Sequence, residues 1–234
     1  ALFLYLAIYA GCQRFFAKRC LVYIYKIFLY SLPVVGITAA FTGAVLALQS
    51  YNGFSRFSAE GAIASVVVLS ITRELGPVLT GLMIAGRLGA SITAEIASMR
   101  VSEQLDAMQT LQTNPLAYLV IPRLIATTLC LPLLVIVADI IGVMGGYLIA
   151  VKVLNFQGAS YLTNTFQYLE QFDVISGLIK AAIFGFIIAS ISSFQGYYAK
   201  GGATGVGKAT TSSVVNSSML ILAANYIITQ IIIN

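Results

Sequence analysis

The sequence contains no histidine and only three cysteines, Cys12, Cys20 and Cys130. The cysteines show none of the paired spacings that zinc sites use, and the usual general base of enzymes is missing altogether. These absences exclude zinc sites of the usual kinds and histidine-dependent catalysis, so we expect neither a metal site nor a catalytic residue. The three cysteines are interpreted as small apolar packing residues.

Charge is also scarce in this chain. Only 9% of the 234 residues are charged and 59% are hydrophobic, whereas soluble domains carry roughly 25% charged residues. The mean hydropathy is +0.93. Because a helix needs about 20 mostly apolar residues to span a bilayer, the sequence predicts an all-α integral membrane protein, a single domain over residues 1–234. Its five predicted transmembrane helices cover residues 29–48, 62–88, 118–151, 174–194 and 214–233.

The N-terminal segment, residues 1–26, is apolar but interrupted by polar side chains. Gln13, Arg14, Lys18 and Arg19 break the apolar run, a pattern typical of an amphipathic helix that lies at the membrane interface. The charges follow the apolar stretch, whereas a signal peptide carries them before it, which argues against a cleaved signal.

The basic residues of the connections predict the orientation, because short cytoplasmic loops are rich in Lys and Arg. Eight Lys and Arg residues lie within residues 1–26, 91–117 and 199–211 and just after Pro122. Only two lie in the connections 50–60 and 152–173. We therefore expect a cytoplasmic N-terminus and a C-terminus on the far side of the membrane. The net charge of +5 is scattered over span ends, which argues against nucleic-acid binding. No long soluble domain remains, so any energy source must come from another subunit.

Small residues recur at four-residue spacing in two spans, as Gly142 and Gly146 in the third and Gly81, Ala85 and Gly89 in the second. This spacing lets helix backbones approach closely in lipid. Packing within one subunit accounts for it, and a homodimer seam is the alternative.

The connection between the second and third spans predicts a cytoplasmic helix over about residues 94–112. Ile96, Met99, Leu105, Met108 and Leu111 recur at intervals compatible with one helical face. Such a helix could float on lipid headgroups, but a helix built for an anionic leaflet should be basic. Acidic residues outnumber the one arginine here, so docking to a protein partner is favoured.

Charged residues inside predicted spans are the second candidate feature, because each costs several kcal/mol unless paired or hydrated. Arg73 and Glu74 lie about eleven residues into the second span and Lys180 about seven into the fourth. A Glu74–Lys180 pair across helices is geometrically reasonable, as a structural ion pair or as a polar patch at the mouth of a lipid path. Asp139 is a third intramembrane charge, for which a hydroxyl or water partner in a helix seam is as good an interpretation as a transport role.

A glycine-rich stretch, GGATGVGKATT, fits the phosphate-binding loop pattern except that Ala209 replaces the magnesium-binding Ser or Thr. Because membrane spans flank it, we interpret the glycines as a flexible cytoplasmic turn, with Thr210 or Thr211 capping the last helix. The residues alone leave two rival functions open: an ion-coupled secondary transporter and an intramembrane lipid-modifying enzyme. The first would show repeated halves and the second a cluster of His, Asp or Cys, and neither is present.

One long region resembles the MlaE (YrbE) family of ABC transporter permeases. It reads RELGPVLTGLMIAGRLGASITAEIASMRVSEQLDAMQTL followed by NPLAYLVIPR. The stretches TGAVLALQSY, GLIKAAIFGF and GVGKATTSSVV fall where the family has similar segments, so the resemblance runs from about residue 30 to the C-terminus.

The resemblance implies a homodimeric permease in the bacterial inner membrane that moves phospholipids and maintains outer-membrane lipid asymmetry. It implies a separate ABC ATPase that uses ATP and magnesium, so no cofactor on this chain, and an MCE-domain periplasmic lipid carrier, with room for a small STAS-domain subunit. The first and fifth spans would border an apolar cavity. Residues expected along the lipid path are Arg73, Glu74, Lys180, Leu48, Gln49 and Tyr51, and those expected on the coupling helix that seats in the ATPase are Glu95, Met99, Arg100, Glu103, Gln104, Leu105, Asp106 and Met108.

Overall fold

The computed structural model describes residues 14–55 and 62–233, and these residues form helices and connections without a strand. Five helices are long and apolar enough to cross a membrane, which confirms the predicted all-α membrane fold. The helices are α1 (Arg14–Phe54), α2 (Ile63–Val101), α3 (Gln104–Thr110), α4 (Leu116–Lys152), α5 (Gly158–Tyr168), α6 (Gln171–Tyr197) and α7 (Gly202–Ile233).

Helix α1 runs without a break from Arg14 through the first span. The sequence predicts a separate interfacial helix over residues 1–26; residues 1–13 lie outside the described part, and residues 14–26 continue directly into the span. Lys and Arg are good helix formers, so the charges there do not end the helix. Cys20 and Ile27 also pack into the main core, which anchors this part of α1 against the bundle.

Helix α2 is interrupted by two π-helical turns, Ile71–Leu75 and Ala85–Gly89. Such turns widen a helix locally and are frequent at functional sites. The first turn contains Arg73 and Glu74, and the second contains Arg87. Pro77 follows the first turn and has no N–H to donate to the carbonyl of Arg73, four residues earlier, so that backbone oxygen is free for another donor.

Glycines set the closest helix contacts of the bundle. Helix α1 packs along α4, α4 along α6, and α6 along both α2 and α7. A Cβ atom on Gly145 would press into the backbone carbonyl of Ala40, and one on Gly43 into that of Gly142. The small residues of α4 therefore serve a seam within this chain, as the packing interpretation predicts.

Helix α5 covers the end of the bundle where α4 ends. Tyr161 is buried there, its ring 5.9 Å from that of Tyr147, and burial raises the pKa of the Tyr161 phenol to about 12.

The outer helices α1 and α7 are the least buried of the five spans. In the most apolar 18 residues of each helix, 22% of α1 and 11% of α7 is buried, against 44–50% in the other three spans. Most of their apolar surface therefore faces lipid or another molecule.

Candidate functional site

Arg73 and Glu74 of α2 lie in its first π-helical turn, where the carbonyl freed by Pro77 also lies. The ammonium of Lys180, on α6, donates to the backbone oxygen of Arg73 at 3.0 Å. Gly177, one turn before Lys180, permits this approach because a side chain there would collide with the backbone of Thr72. Pro77, Gly177 and Lys180 together thus determine the close contact between α6 and α2.

Glu74 and Lys180 form the ion pair that the sequence predicts, with Nζ and Oε1 2.7 Å apart. Helix α7 completes the network. Lys180 also donates to the hydroxyl of Thr229 at 2.7 Å, Thr229 donates to Glu74 at 3.0 Å, and the amide of Asn225 donates to the other Glu74 oxygen at 2.8 Å. All three ammonium protons of Lys180 are thus satisfied, which a buried lysine requires.

The exposure of the pair is unequal: the Lys180 side chain is 2% exposed and that of Glu74 is 37% exposed. The lysine is a structural anchor between three helices, whereas the carboxylate keeps one side open. The interpretation as a structural ion pair therefore fits Lys180, and the interpretation as a polar patch fits Glu74.

Arg73 forms a second ion pair, with Asp173 in the first turn of α6 at 2.5 Å. Asp173 is fully buried, and its other oxygen accepts the N–H of Glu170 at 3.2 Å as part of a capping box. Sequence reasoning missed Asp173. Two signals could have found it: the Glu170–Asp173 capping spacing, and its position seven residues before Lys180, which places both on one face of α6.

A cavity of about 210 Å³ lies beside this network. That volume holds a few waters or a small polar group and falls below the usual size of ligand pockets, so this chain alone does not enclose a two-chain lipid here. No group of three or more metal-ligating side chains occurs in the described ranges 14–55 and 62–233. The cavity lining consists of Arg73, Glu74, Phe172, Ser176, Lys180, Thr229 and Ile232.

The other residues expected along the lipid path lie near the end of α1. Leu48 and Gln49 are exposed, and Tyr51 packs its ring 5.9 Å from that of Phe156. None of the three lines the cavity beside Glu74. The structure therefore brings Arg73, Glu74 and Lys180 together and leaves Leu48, Gln49 and Tyr51 as a separate group.

Asp139 lies in the middle of α4, facing α2. Its Oδ1 atom is buried and has no hydrogen-bond partner among the described residues. A Cβ atom on Gly76 would collide with this oxygen, so glycine at that position is what makes room for the carboxyl. The hydroxyl partner that the sequence suggests is not found in the described part of the chain.

The predicted cytoplasmic helix over residues 94–112 is in fact two helices. Helix α2 ends at Val101, Glu103 takes a left-handed conformation with φ of 59°, and α3 follows over Gln104–Thr110. Nine residues separate Ile96 from Leu105, and at 100° per residue a straight helix would place them on opposite faces. The turn at Glu103 brings Leu105 back onto Ile96 in one buried cluster.

The residues expected to engage the ATPase therefore have two different environments. Leu105 is fully buried, and Met99 and Met108 pack against the same cluster. Glu103 and Gln104 are exposed at the turn.

Two ion pairs fasten this region. Arg100 bonds Asp106 at 2.6 Å across the turn, and the exposed Glu95 bonds the buried Arg123 of α4 at 2.7 Å. The apolar side of α3 is thus used internally, and its polar side is left free.

The glycine-rich stretch is helical instead of forming a turn. Helix α7 begins at Gly202, with positive φ only at Gly201 and Gly202. Thr210 and Thr211 lie inside α7 and donate to the carbonyls of Val206 and Gly207, so the predicted capping role is wrong. From Gly205 onward the N–H groups bond within the helix, so the stretch does not form the loop that a phosphate-binding motif requires.

A five-span helical bundle with partly buried ion pairs between its inner helices, and a short helix with an exposed polar side at one end, fits a membrane transporter. The Permease MlaE family model matches residues 20–231. The chain belongs to the MlaE family of ABC transporter permeases, as its sequence motifs indicate.

Curated relatives agree with this membership. A probable ABC transporter permease protein of Rickettsia conorii is 67% identical over 202 residues, covering 86% of this chain and 78% of the relative. The intermembrane phospholipid transport system permease protein MlaE of Haemophilus influenzae is 36% identical over 204 residues, covering 86% and 77%. The chloroplastic protein TRIGALACTOSYLDIACYLGLYCEROL 1 of Arabidopsis thaliana is 36% identical over 200 residues, covering 86% and 57%.

The family decides between the functions that the residues left open. Its members are named as permeases of ABC transporters, so the chain is a transport subunit and not a lipid-modifying enzyme, and its energy source is a separate ATPase and not a coupled ion. The roles of the individual site residues stay predictions.

Proposed function

We propose that this chain is the permease subunit that moves phospholipids between the bacterial inner membrane and an MCE-domain lipid carrier, driven by a separate ABC ATPase. The Haemophilus influenzae relative, whose name gives intermembrane phospholipid transport, supports the substrate class. The rickettsial relative, named as an ABC transporter permease, supports the energy source. Maintenance of outer-membrane lipid asymmetry is the cellular role that fits this activity.

The Glu74–Lys180 network is the observation that carries the proposal. Charges inside a membrane are costly and mark transport paths by default, and this network joins α2, α6 and α7 at one depth. The Arg73 side chain is 49% exposed despite its bond to Asp173, so part of its guanidinium is available to a phosphate. We infer that headgroups pass beside this network while acyl chains follow apolar helix faces.

A second copy of this chain is the expected partner for the apolar surfaces of α1 and α7. The cavity of about 210 Å³ beside the network is too small for acyl chains, so a lipid-sized cavity at the network needs walls from another molecule. Two copies that face each other through α1 and α7 would provide them. Each buried methylene is worth about 0.8 kcal/mol, so an apolar chamber holds a two-chain lipid without reading its chemical detail.

The ATPase is proposed to dock at the turn between α2 and α3. Glu103 and Gln104 project there as an exposed polar pair, while Leu105 ties the turn to α2. Motion of the ATPase would thereby be transmitted into the helix that carries Glu74. The orientation that fits has this turn and the N-terminus in the cytoplasm and the C-terminus in the periplasm. A small STAS-domain subunit is compatible with this arrangement.

Reconstitution tests the proposal. The full chain is purified, incorporated into vesicles that contain a fluorescent phospholipid, and supplied with ATP and an MCE-domain acceptor, with and without its partner ABC ATPase. Lipid transfer that requires both ATPase and ATP is the expected result. Transfer at the same rate without the ATPase would overturn the ABC mechanism, and ATP-dependent export of a substrate other than lipid would overturn the substrate class.

A further inference from the structure

A second, larger cavity of about 920 Å³ lies at the opposite end of the bundle, between α1, α2 and the start of α4. Arg87 and Glu74 are thirteen residues apart on α2, about 20 Å of helix rise, so this cavity is remote from the Glu74–Lys180 network. Its volume falls within the range of small-molecule pockets. Its lining is mainly apolar, and three cationic side chains and one carboxylate also face it.

Arg87 is the residue that marks this cavity as a binding site. It lies in the second π-helical turn of α2, where its Nη1 donates to the hydroxyl of Ser31 at 2.9 Å and its guanidinium lies 5.8 Å from the centre of the Tyr30 ring. No carboxylate pairs with it in the part of the chain that the structure describes. Residues 1–59 contain no Asp or Glu, so α1 cannot supply one. Arg73, in the first π-helical turn, has Asp173.

The remaining charges of the cavity do not neutralise Arg87. Glu95 is bonded to Arg123 at 2.7 Å, and Lys26 adds a third cation on α1. Arg123 is only 3% exposed, and its Nε atom is buried without a hydrogen-bond partner within the described ranges. Arg87 and Lys26 are exposed, so both are accessible to a ligand. Three cations against one carboxylate leave an excess of positive charge at this cavity, which attracts an anion.

We propose that this cavity binds one anionic phospholipid, with its phosphodiester between Arg87 and Lys26 and its acyl chains along the apolar lining. Arginine suits a phosphate because its N–H groups form a fork that matches two oxygens. The apolar walls, which include Ile27, Leu88 and Ile92, favour a lipid over free phosphate. The site is distinct from the transport network and does not depend on the proposed function.

Native mass spectrometry of the purified full chain in detergent tests this proposal. The probes are dioleoyl phosphatidylglycerol, dioleoyl phosphatidylcholine, dioleoylglycerol and inorganic phosphate, each titrated separately. We expect one phosphatidylglycerol per chain to bind more tightly than the other three. Arg87→Gln should weaken its binding by about tenfold to a hundredfold, the range for a lost charge-assisted hydrogen bond. Lys200→Gln, which removes an exposed cation outside the cavity, should bind as the wild type does.

Two further variants keep the test decisive. Ser91→Phe fills the cavity without changing its charge, and we expect it to exclude phosphatidylglycerol. Lys152→Gln removes an exposed lysine at the end of α4 away from the cavity, and it should bind phosphatidylglycerol normally. Equal binding of inorganic phosphate would replace the lipid with a free anion, and unchanged binding in Arg87→Gln or loss in Lys152→Gln would overturn the site. No binding by the wild type would overturn the proposal as well.

Discussion

Truncation of Leu105 should release α3 from the bundle and uncouple the chain from its ATPase. Leu105 is fully buried against Ile92, Ile96 and Leu119. It is the buried apolar residue of α3, a helix of seven residues, and helices this short do not persist without tertiary contacts. Docking of α3 therefore depends mainly on this one side chain.

The magnitude follows from the size of the deletion. Leu105→Ala removes apolar atoms worth about 0.8 kcal/mol per methylene, and buried Leu→Ala changes cost about 2–5 kcal/mol in total. The Arg100–Asp106 pair across the turn is largely exposed and restores little of this. A loss of about 2.7 kcal/mol, which lies within this range, would raise the undocked population of α3 roughly a hundredfold.

Hydrogen exchange of the backbone amides in residues 104–110 measures this undocking. Leu105→Ala should accelerate exchange there roughly a hundredfold and reduce ATP-dependent transport in reconstituted vesicles. Leu111→Ala is the matched control, because Leu111 lies directly after α3 and is 77% exposed. Unchanged exchange in Leu105→Ala would refute the packing argument. Accelerated exchange with wild-type transport would refute the coupling role of α3.

Three other variants test separate parts of the structure. Gly145→Val should lower the thermal unfolding temperature in detergent, because the helix seam cannot admit a side chain and overpacking costs about 1–3 kcal/mol or more; an unchanged unfolding temperature would contradict the close seam. Asp139→Asn should not lower that temperature, because the Oδ1 atom has no partner among the described residues; a large loss would reveal a missing partner. Asp106→Asn should change the unfolding free energy by less than about 1 kcal/mol, because both partners of its ion pair are exposed; a change of several kcal/mol would show a buried role.

The five spans could be predicted from the sequence because bilayer thickness sets a length that hydropathy reveals directly. The Glu74–Lys180 pair could be predicted for a related reason, since two unlike charges at similar depth in neighbouring spans must find each other or be hydrated. Asp173 was not predicted, because it lies in the first turn of α6, where a carboxylate is usually explained as a helix cap.

The break at Glu103 could not be predicted from periodicity. Residues 94–112 contain neither glycine nor proline, and Glu103 is an unusual residue for a left-handed conformation. The fold imposes it because Leu105 is buried only when the chain turns back. Leu48, Gln49 and Tyr51 were grouped with the network by resemblance, but none of them lines the cavity beside Glu74, and the lining of a cavity depends on helix packing that a single sequence does not reveal.

Phospholipid transfer by variants of the network tests most directly whether these charges control lipid passage. Glu74→Ala and Lys180→Ala are compared with Lys152→Ala, which removes an exposed lysine at the end of α4, in vesicles with equal amounts of assembled permease and ATPase. We expect both network variants to transfer lipid markedly more slowly than the wild type, and the control to match it. Wild-type transfer by both network variants would contradict a role for the network in transport.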